Sequence, residues 1–334
     1  MDWHITGHQW AVDLLSEHLR QNTLRHAYLI TGPSGVGRRT LGLRLAQALA
    51  CTQPPAPGQP CLACSACQRL EKMQHPDLAV MQAENTGGTL KVEQIRELQH
   101  TLALAPYEAK YRVAMLLRFE EAHPSAQNAL LKTLEEPSPQ VILILTAESA
   151  ESVLPTIVSR CEVLRLRPAG IGYLSQQLQT VHTIPAEEAD MLAHLSSGCP
   201  GYAIRLHANR ELVDQRNDWL DDIFKLTGAD RLERFAYAQA ATKQDSPKET
   251  QLEVLMTWMS FWHDILLASS GSSAPIVNLK WNVEINRLAQ QVSPETAHQM
   301  IRAIDNSAQR LRKNINARLT FEVLLLDLPR LRIN

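Results

Sequence analysis

The sequence predicts an α/β domain built on a parallel sheet, followed by all-α domains. Three observations carry this reading. Short apolar runs alternate with helical periodicity through the first half of the chain. A glycine-rich turn joins the first of those runs to a helix, and no strand pattern follows Pro168. The length, 334 residues, suits roughly two or three domains.

Five strands are predicted, near His26–Thr31, Leu78–Met81, Arg112–Phe119, Val141–Thr146 and Glu162–Leu166. They are apolar nearly throughout, as in a sheet covered on both faces. A helix over Thr40–Ala50 carries Leu41, Leu45 and Leu49 on one stripe. Ser125–Glu136 follows a proline and stops at Pro137, both suited to helix ends. Beyond Pro168, Pro185–Ser197 reads as a helix stopped by Gly198, with Pro200-Gly201 as a turn. From about Glu211 the chain is a series of amphipathic helices. One of them is announced by Ser246-Pro247-Lys248-Glu249, a capping box with proline at the first helical position.

Composition narrows the function classes. Hydrophobic residues make up 45% and charged residues 20%, with a formal net charge of -2, so no global basic field would hold nucleic acid. The N-terminus has no basic start followed by an apolar run, so no signal peptide is expected. The longest strongly apolar stretch, Val141–Ala147, is far short of the ~20 residues that span a bilayer. The expected compartment is the cytoplasm, with no membrane partner.

The stretch from Ile30 to Leu49 has the outline of a phosphate-binding loop entering a helix. Gly32, Gly35 and Gly37 are in place. Such glycines let backbone N–H groups converge on an anion beside a helix N-terminus. Arg38 stands where the loop's lysine belongs, and Arg39 where the magnesium-binding hydroxyl belongs. Arginine is a planar fork rather than a compact ammonium, and Thr40 comes one residue late, about 100° further round the helix. The loop is therefore degenerate and unsuited to hydrolysis. Two outcomes stay open: a scaffold only, or a site that holds ATP without turnover.

Cys51, Cys61, Cys64 and Cys67 fall in one short proline-rich insert. Without an export signal, two adjoining CxxC spacings point to metal rather than to disulfides, and four thiolates suit a closed structural zinc site better than an iron–sulfur cluster. Cys199 reads as a packing thiol. Glu120-Glu121 lie at the predicted end of the third strand, where nucleotide hydrolases of this architecture place an acidic pair for magnesium and water. Glu120 is a long side chain for that magnesium role, and a merely solvated acidic pair is the competing reading. Ser159-Arg160-Cys161 precede the fifth strand. On local chemistry alone Arg160 would pair with a nearby carboxylate, and Cys161 would pack.

Together, "HAYLITGPSGVG", the four cysteines, "HPDL" with "VEQIRELQ", "NALLKTLEEP", "LPTIVSRC", "SSGCPGYA" and "NINARLTFEVLLLDL" resemble the AAA+ clamp-loader subunits of bacterial DNA polymerase III, most closely their delta-prime branch. The resemblance spans essentially the whole chain. It implies a RecA-like AAA+ domain over residues 1–167 with a zinc module at 51–67, a small helical lid over 168–208, and a helical collar for oligomerisation over 209–334. It implies that Arg160, positioned by Ser159 and Cys161, is an arginine finger reaching ATP on a neighbouring subunit, and that Thr146 lies near a polar sensor position. The lid's γ-phosphate arginine is replaced by Gly201 or Tyr202, with Arg205 one turn away. The implied partners are gamma/tau-type ATPase subunits and a delta subunit in a heteropentamer, with primed DNA and the sliding clamp reached through the assembly. The end at Asn334 is expected to lack the long polymerase- and helicase-binding extension of the longer ATPase form. No intrinsic activity is expected of the isolated chain, which would be one component of a polymerase holoenzyme. The competing readings are an ATP-hydrolysing gamma-type subunit or stand-alone AAA+ ATPase, and a zinc-bearing DNA-binding module.

Overall fold

The computed structural model describes residues 3–83, 88–243, 247–313 and 315–332. The chain divides into two compact units, one formed by Met1–Gln177 with Gly198–Tyr202, the other by Leu178–Ser197 with Ala203–Asn334.

The first unit is built on five parallel strands: β1 (Ala27–Thr31), β2 (Leu78–Met81), β3 (Arg112–Leu116), β4 (Val141–Ala147) and β5 (Glu162–Arg165). Their order across the sheet is β2-β3-β4-β1-β5, which is the arrangement of an AAA+ RecA-like domain. The register pairs Ile30 with Thr146 and with Leu164, and Leu116 with Leu145. The third strand is shorter than the sequence suggests. It ends at Leu116, and Phe119–Glu121 form a single tight helical turn, so the acidic pair sits on that turn.

Successive residues along a strand face opposite sides, and the core divides accordingly. Tyr28, Ile30, Val113, Met115, Ile142 and Ile144 share one cluster with Leu15, Leu41 and Leu45. Those leucines come from helices α1 (Gln9–Gln21) and α2 (Arg38–Ala50); the short α3 (Ser65–Glu71) adds Leu70. Leu29, Ala114, Leu116, Leu143 and Leu145 share the other cluster with helices α4 (Val92–Leu102), α5 (Pro124–Glu135) and α6 (Pro155–Val158). Burial on both faces is why these runs carry no polar alternation.

Beyond β5, every element among the described residues is helical, as predicted. The helices are α7 (Ile171–His182), α8 (Ala186–Leu195), α9 (Pro200–Ala208), α10 (Glu211–Gly228), α11 (Arg231–Ala241), α12 (Lys248–Ser269), α13 (Asn282–Ala289), α14 (Pro294–Arg312) and α15 (Ala317–Asp327). Two local expectations are corrected. Pro200-Gly201 is the start of α9 rather than a free turn, because proline fits a first helical turn whose N–H groups are unpaired anyway. The serine of the expected capping box, Ser246, lies outside the described residues; the proline is corrected, since Pro247 precedes the helix instead of occupying its first position. Helices α10 to α15 enclose one aromatic-rich core containing Trp258, Phe261, Trp262 and Phe321. Arg234 is buried there, donating to the carbonyls of Leu226, Leu325 and Leu328 and so satisfying two helix C-termini. No described helix is long and apolar enough to cross a membrane.

Candidate functional site

The glycine loop leaves β1 at the C-terminal edge of the sheet, the end at which open α/β sheets bind ligands. Gly32 has φ 147, and a Cβ there would meet the Leu166 carbonyl oxygen at 2.6 Å. Its N–H donates to the carbonyls of Ala147 and Glu148, closing the loop against the end of β4. Gly35, at φ 78, is approached so closely by Tyr202 that a Cβ would lie 2.8 Å from the tyrosine Cβ; its carbonyl accepts from Gly201 N at 2.8 Å. Gly37 caps α2 at φ 114. These glycines are required by the backbone, whether or not an anion is held.

Arg38, on the first turn of α2, does not face an open cradle. Its Nη1 lies 3.9 Å from Glu120 Oε1, and both side chains are largely buried. Neither pairing is complete: Arg38 Nη1 and Glu120 Oε2 are buried without a hydrogen-bond partner. Burial pushes the Glu120 carboxyl above its usual range, partly offset by Arg38 and reinforced by the negative charges of Glu148 and Glu121. Glu121 is held by Arg118, whose Nε lies 3.0 Å from Glu121 Oε2. The Arg118 N–H donates to Thr146 Oγ1 at 2.9 Å, so buried Thr146 supports the turn bearing both glutamates. Arg39 and Thr40 are exposed. Tyr202 sits against Gly35, whereas Arg205 belongs to the second unit.

A groove of about 670 Å³ opens beside this loop, lined by Gly7, His8, Trp10, Arg165, Pro168 and Tyr173 among others. His8 ties it to the loop, its Nε2 lying 3.0 Å from the Val36 carbonyl. The sequence reading missed this feature. The available signal was Gly7-His8 immediately before the amphipathic helix α1; both residues take positive φ in the structure.

The Ser159-Arg160-Cys161 segment follows α6. Arg160 is about one-third exposed and its Nη2 pairs with Glu135 Oε1 at 2.8 Å. Its Nη1 donates to the Thr156 carbonyl at 2.8 Å and to Ser159 Oγ at 3.4 Å. Ser159 itself donates to Thr156 O. Cys161 packs against the core, and burial raises its thiol to about 12, which disfavours the reactive thiolate. Cys199 is likewise raised by burial, to about 11.

The ligand sulfurs of Cys51, Cys61, Cys64 and Cys67 all lie within 4.8 Å of one another. A tetrahedral zinc with bonds of about 2.3 Å sets its sulfurs roughly 3.8 Å apart, so the donor set fits in number, type and spacing. Backbone N–H groups already point at the thiols: Cys61 N donates to Cys51 Sγ at 3.3 Å and Cys64 N to Cys61 Sγ at 3.2 Å. Hydrogen bonds of this kind hold the Cys61 thiol below its usual range; at Cys64 burial opposes them but they prevail, to about 5, whereas burial raises Cys51 and Cys67. The module is anchored to α2 by Gln47, whose Nε2 donates to Cys67 O at 2.9 Å. It is anchored to the N-terminus by buried Trp3, whose indole donates to Gly58 O at 3.1 Å.

A five-stranded parallel sheet of this order, a glycine loop at its C-terminal edge and a helical C-terminal unit define a protein of the AAA+ class. The family profile described as "DNA polymerase III, delta subunit" matches residues 7–170, and that described as "DNA polymerase III, delta subunit, C terminal" matches residues 210–330. The DNA polymerase III subunit delta' of Pseudomonas aeruginosa is 33% identical over 238 residues, covering 71% of this chain and 70% of that one. The subunit delta' of Bacillus subtilis is 26% identical over 319 residues, covering 94% of each. The Bacillus subtilis subunit tau is 25% identical over 349 residues, covering 97% of this chain and 60% of tau. The chain belongs to the delta-prime family of DNA polymerase III subunits.

Proposed function

We propose that this protein is the delta-prime subunit of a clamp loader, working in a ring with gamma/tau-type and delta subunits that places a sliding clamp on primed DNA. It completes a neighbour's ATP site and has no working one of its own. The observation that carries this reading is the Arg38–Glu120 pair. The position from which a lysine would reach phosphate is filled by a guanidinium turned onto the protein's own acid, and Arg39 supplies no hydroxyl for magnesium. Arg160, by contrast, is about one-third exposed and paired with the half-exposed Glu135. In trans its charge would neutralise what develops on the transferred phosphoryl group, an effect of roughly 10³–10⁵ in rate for such fingers.

The domain division that goes with this is an AAA+ domain over 1–167, a lid over 168–208 and a collar over 209–334. In the insert, Cys51, Cys61, Cys64 and Cys67 would hold zinc, which supplies a structural cross-link and leaves no open coordination position. The protein's own residues hold the fold around it: Gln47 fixes the Cys67 backbone and Trp3 fixes Gly58.

ATP titration of the purified chain with and without magnesium, followed by turnover on the same sample, tests the first half. No turnover is expected; magnesium-dependent hydrolysis by the isolated chain would overturn it in favour of an ATPase subunit. For the second half, Arg160→Ala in the reconstituted loader should leave assembly intact and slow ATP hydrolysis at the dependent site by about 10³-fold or more. Unchanged turnover removes the role of Arg160.

A further inference from the structure

We propose that Glu135 is the positioning residue for Arg160, setting the direction of the guanidinium before a neighbour's nucleotide arrives. This rests on Arg160 acting as a finger in trans. Helices α5 and α6 form one platform. Gln127 Oε1 of α5 accepts from Leu154 N, the residue that opens α6, at 3.0 Å. Ile157 of α6 is fully buried in the same core cluster as Leu130 and Leu134 of α5. Glu135 is the last residue of α5, and Arg160 follows α6 by two residues. The two side chains therefore approach from fixed bases.

The guanidinium is gripped on two sides. Thr156 O and Ser159 Oγ take Nη1, and Glu135 Oε1 takes Nη2. A guanidinium has five N–H donors, so these three bonds orient the fork and leave donors for an incoming phosphate. The Glu135 carboxylate is about half exposed, and exposed ion pairs are weakly held. The contact thus selects a rotamer of a long, flexible side chain without trapping it. Glu135 touches neither nucleotide nor metal in this role; it acts through Arg160.

The test uses the reconstituted loader, with size-exclusion profiles to confirm assembly. Arg160→Ala is measured first. If it leaves turnover unchanged, the finger reading fails and this proposal with it. If it slows turnover, Glu135→Ala should lower kcat about fivefold with KM for ATP unchanged, since the neighbour's nucleotide pocket is untouched. Glu135→Gln, which keeps an acceptor oxygen, should recover most of the loss. The Glu135→Ala/Arg160→Ala double variant should be no slower than Arg160→Ala alone, because a residue acting only through another adds nothing once that one is gone. Equal kcat for wild type, Glu135→Ala and Glu135→Gln, or additive losses in the double variant, would overturn the proposal while leaving the finger in place.

Discussion

Arg38 shows how one side chain can fill a glycine loop with the protein's own charge pair. The glycines keep the shape of a phosphate cradle, but the guanidinium lies against Glu120 at 3.9 Å and each partner keeps one buried atom unbonded. A buried pair so incompletely bonded is weak support for stability; in the proposed function it fills the place a phosphate would take. His75, in the "HPDL" segment, shows a different use of buried charge. Its Nδ1 accepts from Asp77 N, and its Nε2 lies 2.9 Å from Glu108 Oε1. Asp77 in turn accepts from the N–H groups of Tyr107, Glu108 and Ala109. Burial lowers the His75 pKa below the ordinary 6.5; the charge of Glu108 opposes this, Arg69 adds to it and Asp77 opposes it. Between the lowered folded value and 6.5 the unfolded chain binds more protons, so stability falls as the pH falls through that window, by at most about 1.4 kcal/mol per pH unit for one group. His75→Gln should therefore show a smaller loss of urea midpoint between pH 7.5 and pH 5.5 than wild type. Equal losses in the two proteins would place the pH sensitivity elsewhere.

At the scale of elements, Trp3 is one of the ties that fasten the cysteine insert to its surroundings. Its indole is almost fully buried and donates to Gly58 O, which also accepts from Ser16 Oγ at 3.4 Å. Removing metal from the zinc-loaded protein should loosen the Cys51–Cys67 insert, expose Trp3 and red-shift the tryptophan emission. Far-UV ellipticity should change by less than about a tenth, because the α10–α15 core contains no residue of the insert. The red shift should vanish in Trp3→Phe; the same shift in that variant, or a global loss of helicity, would contradict this coupling. What was legible from the sequence follows the same locality. The strands could be read because β1, β3 and β4 are buried on both faces. The glycine loop and the cysteines could be read because their members are close neighbours in sequence. The partners of Arg38 and Arg160 could not, since Glu120 and Glu135 reach them only through the sheet order and the docking of α6 on α5. The start of α9 was misread because proline and glycine together look like a turn. There, however, proline suits the first helical position, and Gly201 is needed for close approach, a Cβ lying 3.0 Å from Gly35 O.

At the scale of the whole molecule, the division of the core distinguishes a sheet unit bearing the glycine loop from a helical unit. Among the described residues, the buried members of the clusters on the two faces of the sheet run from Trp3 to Cys199, and those of the helical cluster from Leu220 to Leu328. Each unit thus has its own apolar core, the property that lets a domain fold on its own. Trp258 is central to the second. It is fully buried, its Nε1 donates to Trp219 O at 2.9 Å, and its ring packs edge-on against Phe321 at 6.0 Å between centroids. Trp258→Ala removes that ring and leaves a cavity, a change that costs about 3–5 kcal/mol in a well-packed core. If the two cores are cooperative units in their own right, the loss falls on one of them. Hydrogen exchange measured by peptide should then show α12, α14 and α15 losing protection while β1, β3 and β4 keep theirs. A matching loss in the strands would mean that the whole chain unfolds as one unit, and that the separation of cores has no thermodynamic counterpart.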